Sequence, residues 1–206
     1  VIEDSCQALG TEVGGKPSGA VGTVGVFSFH ATKCIATGEG GMMVSSNDIF
    51  IEKARTMRDL GSASLPRVAA PFTDLQAALG LSQLKRYPDF LDRRRLIRDA
   101  YVNAYRGTHE NISVWRDYTK NPYLFRLPLK MSRGFEEAHR EFLRHGIQVR
   151  RGVDTLLHRE TGLSDNLFPN SINLFNATVS IPFYPALQDV EIERLCDALS
   201  ILTGVG

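Results

Sequence analysis

The sequence predicts a mixed α/β chain whose second half is a smaller α+β domain. Three observations carry this: short apolar strands separated by glycine-rich turns over the first 45 residues, long stretches of helical periodicity in the middle, and alternation of strand and helix patterns after about residue 123.

Val1 to Asp4 reads as the end of a β-strand, and it starts without a methionine, so the chain is expected to be the later part of a longer one. Gly10, Gly14, Gly15, Pro17, Gly19, Gly22 and Gly25 then crowd a stretch that reads as turns rather than helix or sheet. Val24 to Phe29 and Met42 to Val44 read as strands, with His30-Ala31-Thr32-Lys33 and Thr37-Gly38-Glu39-Gly40-Gly41 in the loop between them. Asn47 is an N-cap for a helix to Asp59 that Gly61 ends, and Thr73 caps a longer helix with Leu75, Ala78, Leu79, Leu81 and Leu84 at helical spacing. Pro88 should kink or divide that helix, and the run Asp92-Arg93-Arg94-Arg95 continues into a second one ending near Gly107.

Tyr123 to Leu129 reads as a strand; Ser132 opens a helix carrying Phe135, His139, Phe142 and Leu143, and Gly146 closes it. Ile147 to Arg150 and Thr178 to Ile181 are further strands. Asp189 to Leu202 is a last helix, with Ile192, Leu195, Cys196 and Leu199 on one face. Residues 1–90 therefore form one domain, and residues 91–206 a connector helix plus the small α+β domain.

Composition narrows the function classes. The 206 residues are 43% hydrophobic and 23% charged, within the range of folded globular chains, and the net charge of +1 supplies no bulk field for nucleic acid or an anionic membrane. The sequence lacks both an apolar run near 20 residues and a signal-like N-terminus, which predicts a cytoplasmic protein. Cys6, Cys34 and Cys196 are scattered without paired spacing, so neither a disulfide framework nor a metal site is expected.

Lys33 is the first candidate for chemistry, because it follows an apolar strand and a turn of small residues. A partly desolvated lysine loses its proton more readily, and the neutral amine forms an imine with an aldehyde. By itself it also fits an ordinary surface lysine. Asp4 strengthens the case: pyridoxal phosphate (PLP) is an effective electron sink when a carboxylate keeps its pyridine nitrogen protonated, and Asp4 and Lys33 both follow strands whose carboxyl ends could meet in one crevice.

Val-Ile-Glu-Asp-Ser-Cys-Gln-Ala-Leu-Gly (1–10), Phe-Ser-Phe-His-Ala-Thr-Lys (27–33) and Thr-Gly-Glu-Gly-Gly (37–41) resemble signature blocks of the DegT/DnrJ/EryC1/StrS aminotransferases. So do Thr-Asp-Leu-Gln-Ala-Ala-Leu-Gly-Leu-Ser-Gln-Leu (73–84) and Ser-Ile-Pro-Phe-Tyr-Pro-Ala-Leu (180–187), in the same order. The resemblance implies the C-terminal part of a fold-type I, aspartate aminotransferase-like PLP enzyme. It implies Lys33 as the catalytic residue and covalent cofactor anchor, Asp4 on the pyridinium nitrogen, Gln7 near the phenolic oxygen or ring face, and Ser28 on the phosphate. The implied reaction moves an amino group, with glutamate as donor, to a keto group of a nucleotide-linked deoxysugar in a homodimer. Deoxygenating relatives resemble these enzymes but carry histidine at the lysine position, so Lys33 points to transamination. A sugar dehydratase, a cyclitol aminotransferase and a non-catalytic chain of the same fold are the alternatives.

In one departure, Pro71 stands where the family often has asparagine or arginine reaching a neighbouring subunit's phosphate. In another, the loop that cradles the phosphate and the ring-stacking aromatic lie in a part not present in these 206 residues, which by themselves are expected to be inactive. Arg93 to Arg95 reads as a solvated or interface-facing helix surface, and Arg150, Arg151 and His158 as a possible diphosphate contact. His30 either lines the pocket or is satisfied within the fold. Trp115, Phe125, Phe135, Phe142 and Phe183 read as core, and Cys34 as packing.

Overall fold

The computed structural model describes residues 1–59, 61–62, 64–68, 71–106 and 125–202. The chain divides into two compact units, Val1–Leu91 and Asp92–Gly206, with the boundary inside one helix.

In the first unit, β1 (Ile2–Asp4) pairs in parallel with β4 (Val24–Ser28), and β4 pairs antiparallel with β5 (Gly41–Val44), giving the order β1-β4-β5. The glycine-rich connection contains more order than its composition predicts. Residues Glu12–Val13 (β2) and Lys16–Pro17 (β3) form a small antiparallel hairpin around Gly14 and Gly15, whose positive φ angles suit a tight reversal. Gly25 is required by close approach: a Cβ there would lie 2.3 Å from the Gly19 carbonyl oxygen.

Asn47 caps α1 (Asp48–Asp59) by accepting from the Ile49 and Phe50 amides at 3.0 and 3.4 Å. Thr73 caps α2 (Asp74–Lys85) in a full capping box with Gln76. Arg86 ends α2, and Pro88 sits in the first turn of α3 (Tyr87–Arg106), where its missing N–H costs nothing, so the proline divides the two helices. The expected end of α3 near Gly107, the start of the strand at Tyr123, and Trp115 lie outside the described residues.

The second unit has the sheet order β6-β8-β7, all antiparallel, from β6 (Leu127–Lys130), β7 (Arg150–Arg151) and β8 (Thr178–Ile181). Helices α4 (Gly134–Arg144), α5 (Leu157–Glu160), α6 (Pro169–Ala177) and α7 (Asp189–Leu202) complete it, and α4 packs on β8, α6 and α7. Its core joins Ile97, Tyr101 and Tyr105 of α3 to Leu127, Leu129, Phe142, Val179, Ile181 and the Ile192, Leu195, Leu199 and Leu202 stripe of α7. Every residue of β8 is buried, as expected of a central strand.

Several expectations are corrected here. Ile147 to Val149 precede the strand rather than forming it: Gly146 adopts φ +71°, and the Ile147 amide donates back to Phe142 at 2.9 Å, so the chain is still closing α4. That helix starts at Gly134 with Arg133 before it, not at Ser132. Helices α5 and α6, and a 3-10 turn at Asp165–Leu167, had no expected counterpart, being short and weakly periodic. The arginine run is not a solvated face throughout. Arg94 is buried, donates to the Phe183 carbonyl at 3.1 Å and lies over the Phe183 ring, while Arg93 donates to Leu187 and Asp189.

Candidate active site

The parallel pairing of β1 and β4 sets Asp4 opposite Val26, two residues before Ser28 at the end of the neighbouring strand. The chain then turns through His30–Lys33, where the Lys33 amide donates to the His30 carbonyl at 2.9 Å, and returns as the Phe29 amide donates to Gly40 and the Thr37 amide to Phe29, each at 2.8 Å. Lys33 is half-buried in this loop. Ser28 Oγ accepts the His30 amide at 3.3 Å, and His30 Nδ1 lies 3.0 Å from Thr32 Oγ1, so the start of the loop is tied to itself.

Asp4 and Lys33 share one electrostatic environment. Hydrogen bonds from the Cys6 side chain and backbone hold the Asp4 carboxyl below its ordinary value, and the positive charge of Lys33 adds to that effect. The Cys6 amide donates to Asp4 Oδ1 at 3.1 Å. Burial raises the Cys6 thiol, the Asp4 hydrogen bond and charge reinforce this, and Lys33 opposes it. Asp4 is therefore ionised at neutral pH, at the end of the strand that pairs with β4. Gln7 is exposed in the turn closed by the Ala8 amide donating to the Ser5 carbonyl at 3.0 Å.

This set suits PLP chemically: a primary amine for the aldehyde, an ionised carboxylate for a cationic ring nitrogen, and a hydroxyl able to donate to phosphate. Among the described residues no cluster of metal ligands occurs, and no helix is long and apolar enough to cross a membrane.

Sequence reasoning overlooked the residues that brace the loop. Gln83 Nε2 donates to the Ala36 carbonyl while its Oε1 accepts the Ala36 amide at 3.0 Å, and Gln76 Nε2 donates to the Glu39 carbonyl at 2.8 Å. Their seven-residue spacing, two turns of one helix face, was the available signal. Glu3, beside Asp4, also escaped notice; its carboxylate accepts the Gly19, Val21 and Gly22 amides, which hold its pKa below 4.5.

Arg151 and His158, one option in the sequence for a diphosphate contact, are engaged within the fold. Arg151 donates to the Phe175 carbonyl, pairs with Glu136 and lies against the Phe135 and Phe175 rings. His158 is buried against Phe168 and bonded to Asp165, whose carboxyl Arg159 and His158 hold down to about 2.

The chain resembles known proteins along nearly its whole length. It is 30% identical over 214 residues to the GDP-perosamine synthase of Vibrio cholerae, covering 97% of this chain and 58% of that protein. It is 28% identical to the spore coat polysaccharide biosynthesis protein SpsC of Bacillus subtilis, with the same coverage. The chain thus spans a little over half the length of these relatives. Among solved structures, DesV of S. venezuelae superposes with a TM-score of 0.85 at 21% identity, covering 98% of this chain and 57% of that one. The PLP form of the putative sugar aminotransferase Spr1654 of Streptococcus pneumoniae gives 0.83 at 23%, covering 98% and 57%. These likenesses bear out the mixed α/β, fold-type I architecture. The DegT/DnrJ/EryC1/StrS aminotransferase family matches residues 1–200, and the chain belongs to it.

Proposed function

We propose that the chain is the C-terminal part of a PLP-dependent aminotransferase that moves an amino group, from glutamate, to a keto group of a nucleotide-linked deoxysugar. In this reading residues 1–90 are the remainder of the cofactor-binding domain and residues 91–206 the connector and small domain. The observation that carries it is the parallel pairing of β1 with β4, which sets Asp4 beside the strand that ends at Ser28 and leads into the Lys33 loop, inside a match to the family that spans the chain. The names of the relatives, a GDP-perosamine synthase among them, support the sugar-nucleotide class of acceptor.

Bound PLP supplies an electron-poor ring that stabilises negative charge on the substrate carbon. Lys33 would hold the cofactor covalently through Nζ, and the same amine, when free, would serve as the base and acid that moves a proton at the substrate carbon. The ionised Asp4 would hold a proton on the ring nitrogen, its lowered pKa making it the weaker base of that pair. Ser28 Oγ would donate to the phosphate, and Gln7 would lie near the phenolic oxygen or ring face.

Borohydride treatment of the native-length protein with PLP should fix the cofactor on Lys33, and Lys33→Ala should abolish both adduct and amino transfer. An adduct mapped to another lysine would overturn the assignment.

A further inference from the structure

The residues that face the Lys33 loop from α2 are polar or small, not the leucines. Gln76, Gly80 and Gln83 fall at i, i+4 and i+7, one stripe of the helix, whereas Leu75, Leu79, Leu81 and Leu84 are exposed among the described residues. Each member of the stripe meets a different part of the loop. Gln83 pairs with both backbone groups of Ala36, three residues after Lys33, using its amide as a strand would use a peptide. A Cβ on Gly80 would lie 3.1 Å from Thr37 Cγ2, so the missing side chain lets helix and loop close together. Gln76 holds Glu39 through Nε2 while its Oε1 accepts the Thr73 amide at 2.9 Å, which links the helix cap to the loop.

Between these contacts Ile35 and Thr37 are buried, each at 4% exposure. The return limb of the loop is therefore fixed on two sides, by its own turn bonds and by α2. Lys33 itself is only half-buried. Its position depends on how rigidly residues 34–37 are held, since a group displaced by about 1 Å can lose on the order of 100-fold in rate.

We propose that Gln83 is a positioning residue for Lys33, holding the loop at Ala36 so that the amine is presented in one place, with Gln76 as a second anchor at Glu39. The proposal rests on the reading of Lys33 as the cofactor anchor. It does not make Gln83 a catalytic residue, because its amide is used up on the Ala36 backbone.

The test uses the native-length protein carrying Gln83→Ala or the nearly isosteric Gln83→Glu, which keeps an acceptor for the Ala36 amide but sets a carboxylate oxygen against the Ala36 carbonyl. In the cofactor-free protein, amide hydrogen exchange at Ala36 should quicken by about 10-fold, the effect of losing one part-buried hydrogen bond, while the amides of α1 keep their wild-type rates. The pH profile for acylation of Lys33 by an amine-selective reagent, read by mass spectrometry, should shift in both variants. With PLP bound, kcat should fall by about 10 to 100-fold, with the donor KM within about threefold of wild type. Wild-type exchange at Ala36 together with an unchanged Lys33 profile would overturn the proposal, as would unfolding of both variants, which would assign Gln83 to stability alone. The two readings fail separately: a borohydride adduct on another lysine defeats the function, whereas an adduct on Lys33 with unaltered exchange defeats only the positioning role.

Discussion

The two units are held together by different means. The second closes around a continuous apolar core drawn from α3, β6, α4, β8 and α7, in which Leu127, Ala138, Phe142, Val179 and Leu199 are wholly enclosed. In the first, the buried apolar side chains are few, Val24, Ile35 and Tyr87 among them, and Met42, Leu75, Leu79, Leu81 and Leu84 are exposed. Its form depends on side chains that grip backbone: Glu3 on the Gly19–Gly22 turn, Gln83 on Ala36, Gln76 on Glu39, and the Tyr87 hydroxyl donating to the Leu9 carbonyl at 2.7 Å. Apolar contact is tolerant of direction, whereas a hydrogen bond fixes distance and angle. The candidate chemistry thus sits in a loop held by directional contacts at Ala36 and Glu39.

The largest expected effect probes the apolar unit. Phe142→Ala should destabilise it by about 3–5 kcal/mol, through lost burial and the cavity left behind. Amide exchange would then quicken across α4, β8 and α7 while Ala36 keeps its rate; equal acceleration in both units would erase the distinction drawn between them.

A smaller effect is expected at Glu3, and it depends on pH. Amide hydrogen bonds, chiefly from Gly22 and Gly19, depress its pKa below the ordinary carboxylate value, so its contribution is complete above the unfolded-state pKa and is lost as pH falls through the lower folded-state pKa. Glu3→Gln should therefore lower the thermal stability of the first unit at pH 7, and the gap to wild type should narrow as pH falls toward 3. A gap constant over that range would show that the carboxylate charge is irrelevant to the turn.

The smallest change concerns the α2 cap. Thr73→Ala removes the acceptor of the Gln76 amide and half of the capping box, at a cost of about 1 kcal/mol. Because Gln76 also holds Glu39, exchange at the first turn of α2 and at residues 39–41 should rise together. A rise confined to the helix would mean that cap and loop are independent.

Much of this was legible in sequence. Strands β4 and β5, the Asn47 and Thr73 caps, the division at Pro88, and the α7 stripe follow from local preferences, as do Asp4, Ser28 and Lys33 as residues at strand ends or in the loop beyond. The short α5 and α6 helices were not legible, because one or two turns carry too little periodicity to stand out and are fixed by what they pack on. Arg94 misled for a related reason: charge suggests solvent, and only the ring and carbonyl around it explain its burial.

The sequence by itself determined where strands, turns and caps lie and which family the chain resembles, since these depend on residues near one another along the chain. Only the tertiary structure decided that β1 pairs in parallel with β4, that α2 turns glutamines rather than leucines toward the loop, and that Glu3 ties down a turn many residues away. Such contacts follow from the parallel pairing of β1 with β4 and the docking of α2 on the loop, and no periodicity within one segment encodes which partner across space satisfies a given backbone group.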